Sequence, residues 1–132
     1  MSRDLVWISK LAALRVHAEQ VRRHGGDDGF LNEARLDAAL VRPRTALAYA
    51  PSLSLEDLAA RMAVGIAKGH PFVDGNKRTA FVVSIMFLAL NGIEISAPND
   101  EAAEIFEGVA RGEVNEDALS RWFTENMTAP EE

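Results

Sequence analysis

Apolar and polar positions recur along this chain with a helical period far more often than with the alternation of a strand. After a short apolar lead, Val6 to Ile8, Ser9 is placed to cap a first helix, in which Leu11, Leu14, Ala18 and Val21 recur at helical spacing until Gly25-Gly26 stops it. The segment "GGDDGF" is then a loop. Asn32 followed by Glu33 predicts a second start, with Leu36, Ala39 and Leu40 inward and Pro43 ending or kinking the helix near Arg42. Thr45 to Tyr49 reads as a separate, weaker segment before Pro51.

Ser54, with Glu56 and Asp57 in the following turn, starts a third helix that carries Leu55, Leu58, Met62 and Ile66 on one side and closes at Gly69. The loop "HPFVDG" leads into a helix from about Asn76 to Leu90, terminated by Asn91-Gly92 and apolar on nearly every side. A short "IEIS" predicts a small strand. Pro98-Asn99 then opens a helix with Ala102, Ile105, Phe106 and Val109, and Asn115 opens a last one with Leu119, Trp122 and Phe123 inward. The expectation is an all-α single domain over residues 1–132, built around a buried central helix with at most a minor β element.

Composition narrows the function. The net charge of −6 gives no general attraction to nucleic acid or to anionic lipid. With no cysteine, disulfides, thiol catalysis and cysteine-held metal are excluded, which fits a cytoplasmic location. The start "MSRDLVWISK" lacks the apolar core of a signal peptide, and the longest apolar stretch, Thr79 to Leu90, falls short of the roughly twenty residues a membrane span needs.

The chemistry concentrates in "KGHPFVDGNKRTA". Pro71 biases His70 away from helical dihedrals, so its imidazole is expected on an extended segment between two helices. A histidine ordinarily titrates near 6.5, which suits the group to take a proton from a hydroxyl at neutral pH. Lys77 and Arg78 stand at the start of a helix, where each exposed cation is unfavourable by roughly 0.3–1 kcal/mol. A phosphate would reverse that sign, received by the first-turn amides of Gly75, Asn76 and Lys77 and by the Lys77 and Arg78 side chains. Asp74 is placed to hold a magnesium ion shared with phosphate oxygens.

Taken singly, these residues have plainer roles. His70 can be a surface group, Phe72 an apolar anchor for the loop, Asp74 an N-cap, Asn76 a turn residue, and Lys77 with Arg78 a solvated edge. Together those roles leave the placement of the cations unexplained. Gly69 to Gly75 encloses one residue too many for a Walker A loop. His17 and His24 lie about 10 Å apart along their helix, too far to share a metal. The small basic clusters Arg22-Arg23-His24 and Arg42 with Arg44 read as solvated faces.

The stretch "HPFVDGNKRTA" resembles the signature of the Fic/Doc superfamily, H-x-F-x-[DE]-G-N-G-R-x-x-R in its Fic form. His70, Phe72, Asp74, Gly75, Asn76 and Arg78 match it. Lys77 stands where Fic enzymes have glycine, and Phe81 where they have a second arginine. Both departures are those of the Doc (death-on-curing) toxin branch, whose order is also followed by "RHGG", "NGIEI" and "ARGEVNEDAL".

For a Fic enzyme the resemblance implies AMP transfer from ATP to a protein hydroxyl. For a Doc toxin it implies ATP bound the other way round, and phosphate transfer to a threonine of elongation factor Tu that halts translation. The carried-over roles are His70 as base, Asp74 as magnesium ligand, Gly75, Asn76 and Lys77 as anion nest, and Lys77 with Arg78 as neutralising cations. A Phd-type antitoxin, its C-terminal segment folding onto the toxin as a helix, is the implied partner. The inhibitory Fic pattern [ST]-x-x-x-E-[GN] is only approached, by Ser52 and Glu56 followed by Asp57. AMP transfer and a catalytically silent binding module remain as alternatives.

Overall fold

A computed structural model describes residues 4–128 of the chain. Among them are six helices: α1 (Lys10–His24), α2 (Glu33–Tyr49), α3 (Leu55–Ala67), α4 (Asn76–Leu90), α5 (Asn99–Arg111) and α6 (Glu116–Glu125). The described chain is all-α, as its periodicity predicts. None of these helices is long and apolar enough to cross a membrane.

The centre is shared by α3 and α4. Helix α3 packs against α2, α4, α5 and α6, while α4 packs against α1, α3 and α5. Small residues make this possible: Ala59, Ala60, Ala63 and Ala67 of α3 are fully buried, and a methyl group on Gly65 would lie only 2.8 Å from the Ala39 side chain of α2. Larger groups on α3 would hold its neighbours apart. Its start is fixed by a capping box, in which Ser54 accepts from the Asp57 N–H and Asp57 accepts from the Ser54 N–H. Asp57 also accepts from the Ser120 hydroxyl at 2.7 Å, which ties α3 to α6. Burial opposes the Asp57 charge, but the bonds from Ser120 and Ser54 outweigh it and hold the carboxyl below its ordinary value.

Some local expectations need correction. Helix α2 does not stop near Arg42 but runs through Pro43 to Tyr49, absorbing the segment expected to stand alone. A mid-helix proline costs about 3 kcal/mol; Pro43 is itself buried, as are Leu36 and Ala39 on the same helix, and packing along α3 offsets the lost bond. Asn32 holds the N-cap position of α2 without a side-chain cap bond; its N–H is instead given to the Pro71 carbonyl at 2.9 Å.

On α1, Leu11 is 58% exposed, and the buried positions are Ala13 and His17. The "IEIS" segment makes one isolated bridge, Ile95 with Met127, and another, Phe30 with Phe72, forms in the loop after α1. The basic clusters lie on solvated faces, as expected, and carry surface ion pairs there. Arg22 and Arg23 bind Glu19 and bring its carboxyl down to about 2, Arg42 pairs with Glu116, and the Arg44 guanidinium lies 5.1 Å from the Trp7 ring centre.

Candidate active site

The loop between α3 and α4 is fixed from every side. Gly69 begins it, at a place where any side chain would lie 2.1 Å from the Gly65 carbonyl oxygen. His70 follows with φ of 51°, so it occupies the left-handed region and not the extended one expected from Pro71. The following proline disfavours the right-handed helical conformation, and in the left-handed one the His70 N–H closes the end of α3 on the Ile66 carbonyl, 3.2 Å away. Its side chain is exposed, with Nδ1 3.3 Å from the Lys68 carbonyl oxygen. A carbonyl only accepts, so in the tautomer that makes this bond Nδ1 carries the proton and Nε2 is the basic nitrogen.

Phe72 is the anchor of the loop, buried and stacked between two rings: His17 at 3.5 Å and Phe30 at 5.3 Å between centres. Asn76, 6% exposed, closes the loop on itself. Its Oδ1 accepts from the Phe72 N–H at 3.0 Å and its Nδ2 donates to the Phe72 carbonyl at 2.9 Å. With its side chain buried and committed to Phe72, Asn76 presents chiefly its backbone N–H to a ligand. Replacing it by alanine leaves two buried backbone groups unpaired, at a cost of about 1–3 kcal/mol each. Chemical denaturation of Asn76→Ala is therefore expected to show a clear loss of stability, and an unchanged midpoint would contradict this role.

Asp74 is exposed and is not the cap of α4. Its Oδ2 accepts from the Asp27 N–H at 2.8 Å, and its backbone carbonyl receives the buried His17 Nε2–H at 2.8 Å. Gly75 takes the N-cap position in the left-handed conformation, φ 80°, and supplies no side chain to the helix start. Helix α4 therefore begins uncapped, and among the described residues the N–H groups of Asn76, Lys77 and Arg78 have no hydrogen-bond partner.

The two cations differ. Lys77 is ion-paired with Glu107 of α5, thirty positions away, so half of the apparent charge excess has its own counter-ion. The Lys77 ammonium, and less strongly Arg111, hold the Glu107 carboxyl below the usual range. Arg78 has neither hydrogen bond nor ion pair among the described residues.

Gly75, Asn76, Lys77 and Arg78 together line one cleft of about 680 Å³ between α1, α4 and α5, within the range of small-molecule sites. Gln20, Arg23 and His24 of α1 form its second wall, which the sequence reading did not assign to the site. Phe81 and Phe106, edge to face at 5.3 Å, give it an apolar side. His70 and Asp74 stand on the loop leading into α4, outside the cleft lining. Two smaller clefts beside Arg42 and Lys68 contain no residue from His70 to Arg78.

No group of three metal-binding side chains is present among the described residues. Asp74 nevertheless fits a magnesium ion of the kind held by one carboxylate and substrate phosphates, because Oδ1 has no hydrogen-bond partner among the described residues and the carboxylate is exposed.

A model of the Fic/DOC family matches residues 7–88, from before α1 into the last turn of α4. The chain is similar to Protein kinase doc of Escherichia phage P1, with 32% identity over 108 residues that cover 82% of this chain and 85% of that protein. It is likewise 32% identical to Toxin Doc of Mycolicibacterium smegmatis over 99 residues, 73% of this chain and 76% of that protein. With that extent of agreement, and with the signature loop at the head of α4, the chain belongs to the Fic/DOC family.

Proposed function

We propose that this protein is a Doc-like toxin of a toxin–antitoxin pair, transferring the terminal phosphate of ATP to a serine or threonine hydroxyl of elongation factor Tu in the cytoplasm. The observation that carries this reading is Arg78, without an ion pair among the described residues, at the uncapped start of α4, in a cleft that is apolar at Phe81 one turn further along the same helix. Unbonded amides, a fixed dipole and a free guanidinium converge there, and all three favour phosphate oxygens. The edge-to-face pair Phe81–Phe106 makes this part of the cleft apolar, with Phe81 at the position where a second cation would stand.

His70 takes the proton of the target hydroxyl on Nε2. As that oxygen bonds to the terminal phosphorus, the bond from phosphorus to the bridging oxygen breaks, and ADP leaves with the electron pair. Arg78 and the N–H groups of Gly75, Asn76 and Lys77 neutralise the equatorial oxygens, and they need little reorganisation because the loop is already fixed. Asp74 would hold magnesium, which when bound supplies charge stabilisation to the phosphates. The kinase and toxin names of the two relatives support this class of activity. A Phd-type antitoxin, bound through a C-terminal helical segment, would keep the protein silent.

AMP transfer is the competing reading, and Phe81 in place of the second arginine speaks against it. Addition of the purified protein with ATP to a cell-free translation reaction is expected to stop synthesis, and addition of fresh elongation factor Tu to restore it. Undiminished synthesis with the protein in molar excess over the factor would overturn the proposal.

A further inference from the structure

We propose that His17 is a positioning residue of the active site, an inference that deepens the phosphate-transfer reading and rests on it for its kinetic arm. His17 lies on α1, far from the signature in sequence, and is 2% exposed. A buried imidazole is an unusual filler, since an apolar side chain of similar size would avoid the cost of removing polar atoms from water. Its surroundings explain the choice. The ring face lies 3.5 Å from Phe72, nearly parallel at 7°, while the ring edge gives its Nε2–H to the Asp74 carbonyl at 2.8 Å. The same edge lies beneath Gly75, where an added methyl group would meet Cδ2 and Nε2 at 3.5 Å.

One side chain therefore touches three residues of the signature loop. Holding the Asp74 carbonyl oxygen holds the whole planar peptide joining Asp74 to Gly75. That plane sets the direction of the Gly75 N–H and the entry into α4, and its other end carries the Asp74 side chain. Asn76 secures the Phe72 end of the loop through backbone groups, and His17 links that end to the Asp74–Gly75 end. Neither a phenylalanine nor a glutamine can do both tasks: the first has the flat face without the donor, the second the donor without the face. A donor array used for transition-state stabilisation depends on such support, and a displacement of about 1 Å can cost about 10²-fold in rate.

The two substitutions separate the tasks. His17→Phe is expected to keep the melting temperature near that of the unaltered protein, because the stack and the volume are retained. It should lower kcat for target phosphorylation by about 10–100-fold. His17→Gln is expected to melt earlier yet to recover part of that kcat. Independently of any turnover, the amide proton–nitrogen spectrum of His17→Phe should show the Gly75 resonance shifted and its exchange with solvent accelerated, with α6 resonances unchanged.

Unaltered kcat in a folded His17→Phe, or an unmoved Gly75 resonance, would overturn the proposal and leave His17 a core residue. If the unaltered protein transfers no phosphate to any target, the phosphate-transfer reading fails. The Gly75 resonance then still decides whether His17 positions the loop.

Discussion

His70→Ala is expected to lower phosphate transfer by about 10²–10⁴-fold, the usual worth of a positioned general base, while leaving the protein folded. The side chain is exposed, and Nδ1 makes its one hydrogen bond, to the Lys68 carbonyl at 3.3 Å, so its removal opens no cavity. Stability should change by less than about 1 kcal/mol, and affinity for Mg-ATP should hold, because the anion nest belongs to the start of α4. Turnover of the purified variant, with calorimetric binding of Mg-ATP as control, checks this. A rate within tenfold of the unaltered protein would place the base elsewhere.

Arg78→Ala is expected to cost about 10²–10³-fold in kcat, as for loss of one preorganised donor to developing charge, and to weaken Mg-ATP binding as well. Lys77→Ala should cost less. The Lys77 ammonium already has Glu107 for a partner, whereas Arg78 meets an incoming phosphate without first giving up another charge. Arg78→Lys should restore only part of the loss, since an ammonium cannot reproduce a two-pronged contact. Steady-state rates of the three variants on one target decide the order. Equal losses at positions 77 and 78 would mean that the pair with Glu107 opens freely on binding.

How far the sequence carried this picture depends on the range of the interaction concerned. Ser9, Ser54 and Asn115 mark helix starts through bonds to residues three positions on, so α1, α3 and α6 begin where those residues predict. The signature loop was legible as a family motif, because its residues lie within nine consecutive positions, although the left-handed backbone of His70 was not. Pro43 misled because the penalty it carries is local, while the packing against α3 that offsets it is not.

Glu107 and His17 were hidden for the same reason. Nothing near Lys77 in sequence announces a counter-ion on α5, and a histidine on α1 shows its purpose only when Phe72 and Asp74 lie against it. The cation placement that singled out the motif was thus only half a signal for phosphate. Lys77 is accounted for by the fold, and Arg78 remains.

The central claim is that a phosphoryl group, and not an adenylyl group, reaches a protein hydroxyl. The direct measurement is the intact mass of purified elongation factor Tu after incubation with this protein, magnesium and ATP, beside a parallel reaction with His70→Ala. The mechanism predicts a gain of one phosphoryl group, about 80 Da, with no gain in the variant reaction. A gain of one adenylyl group would contradict the nucleotide orientation, and an unchanged mass would contradict the choice of target.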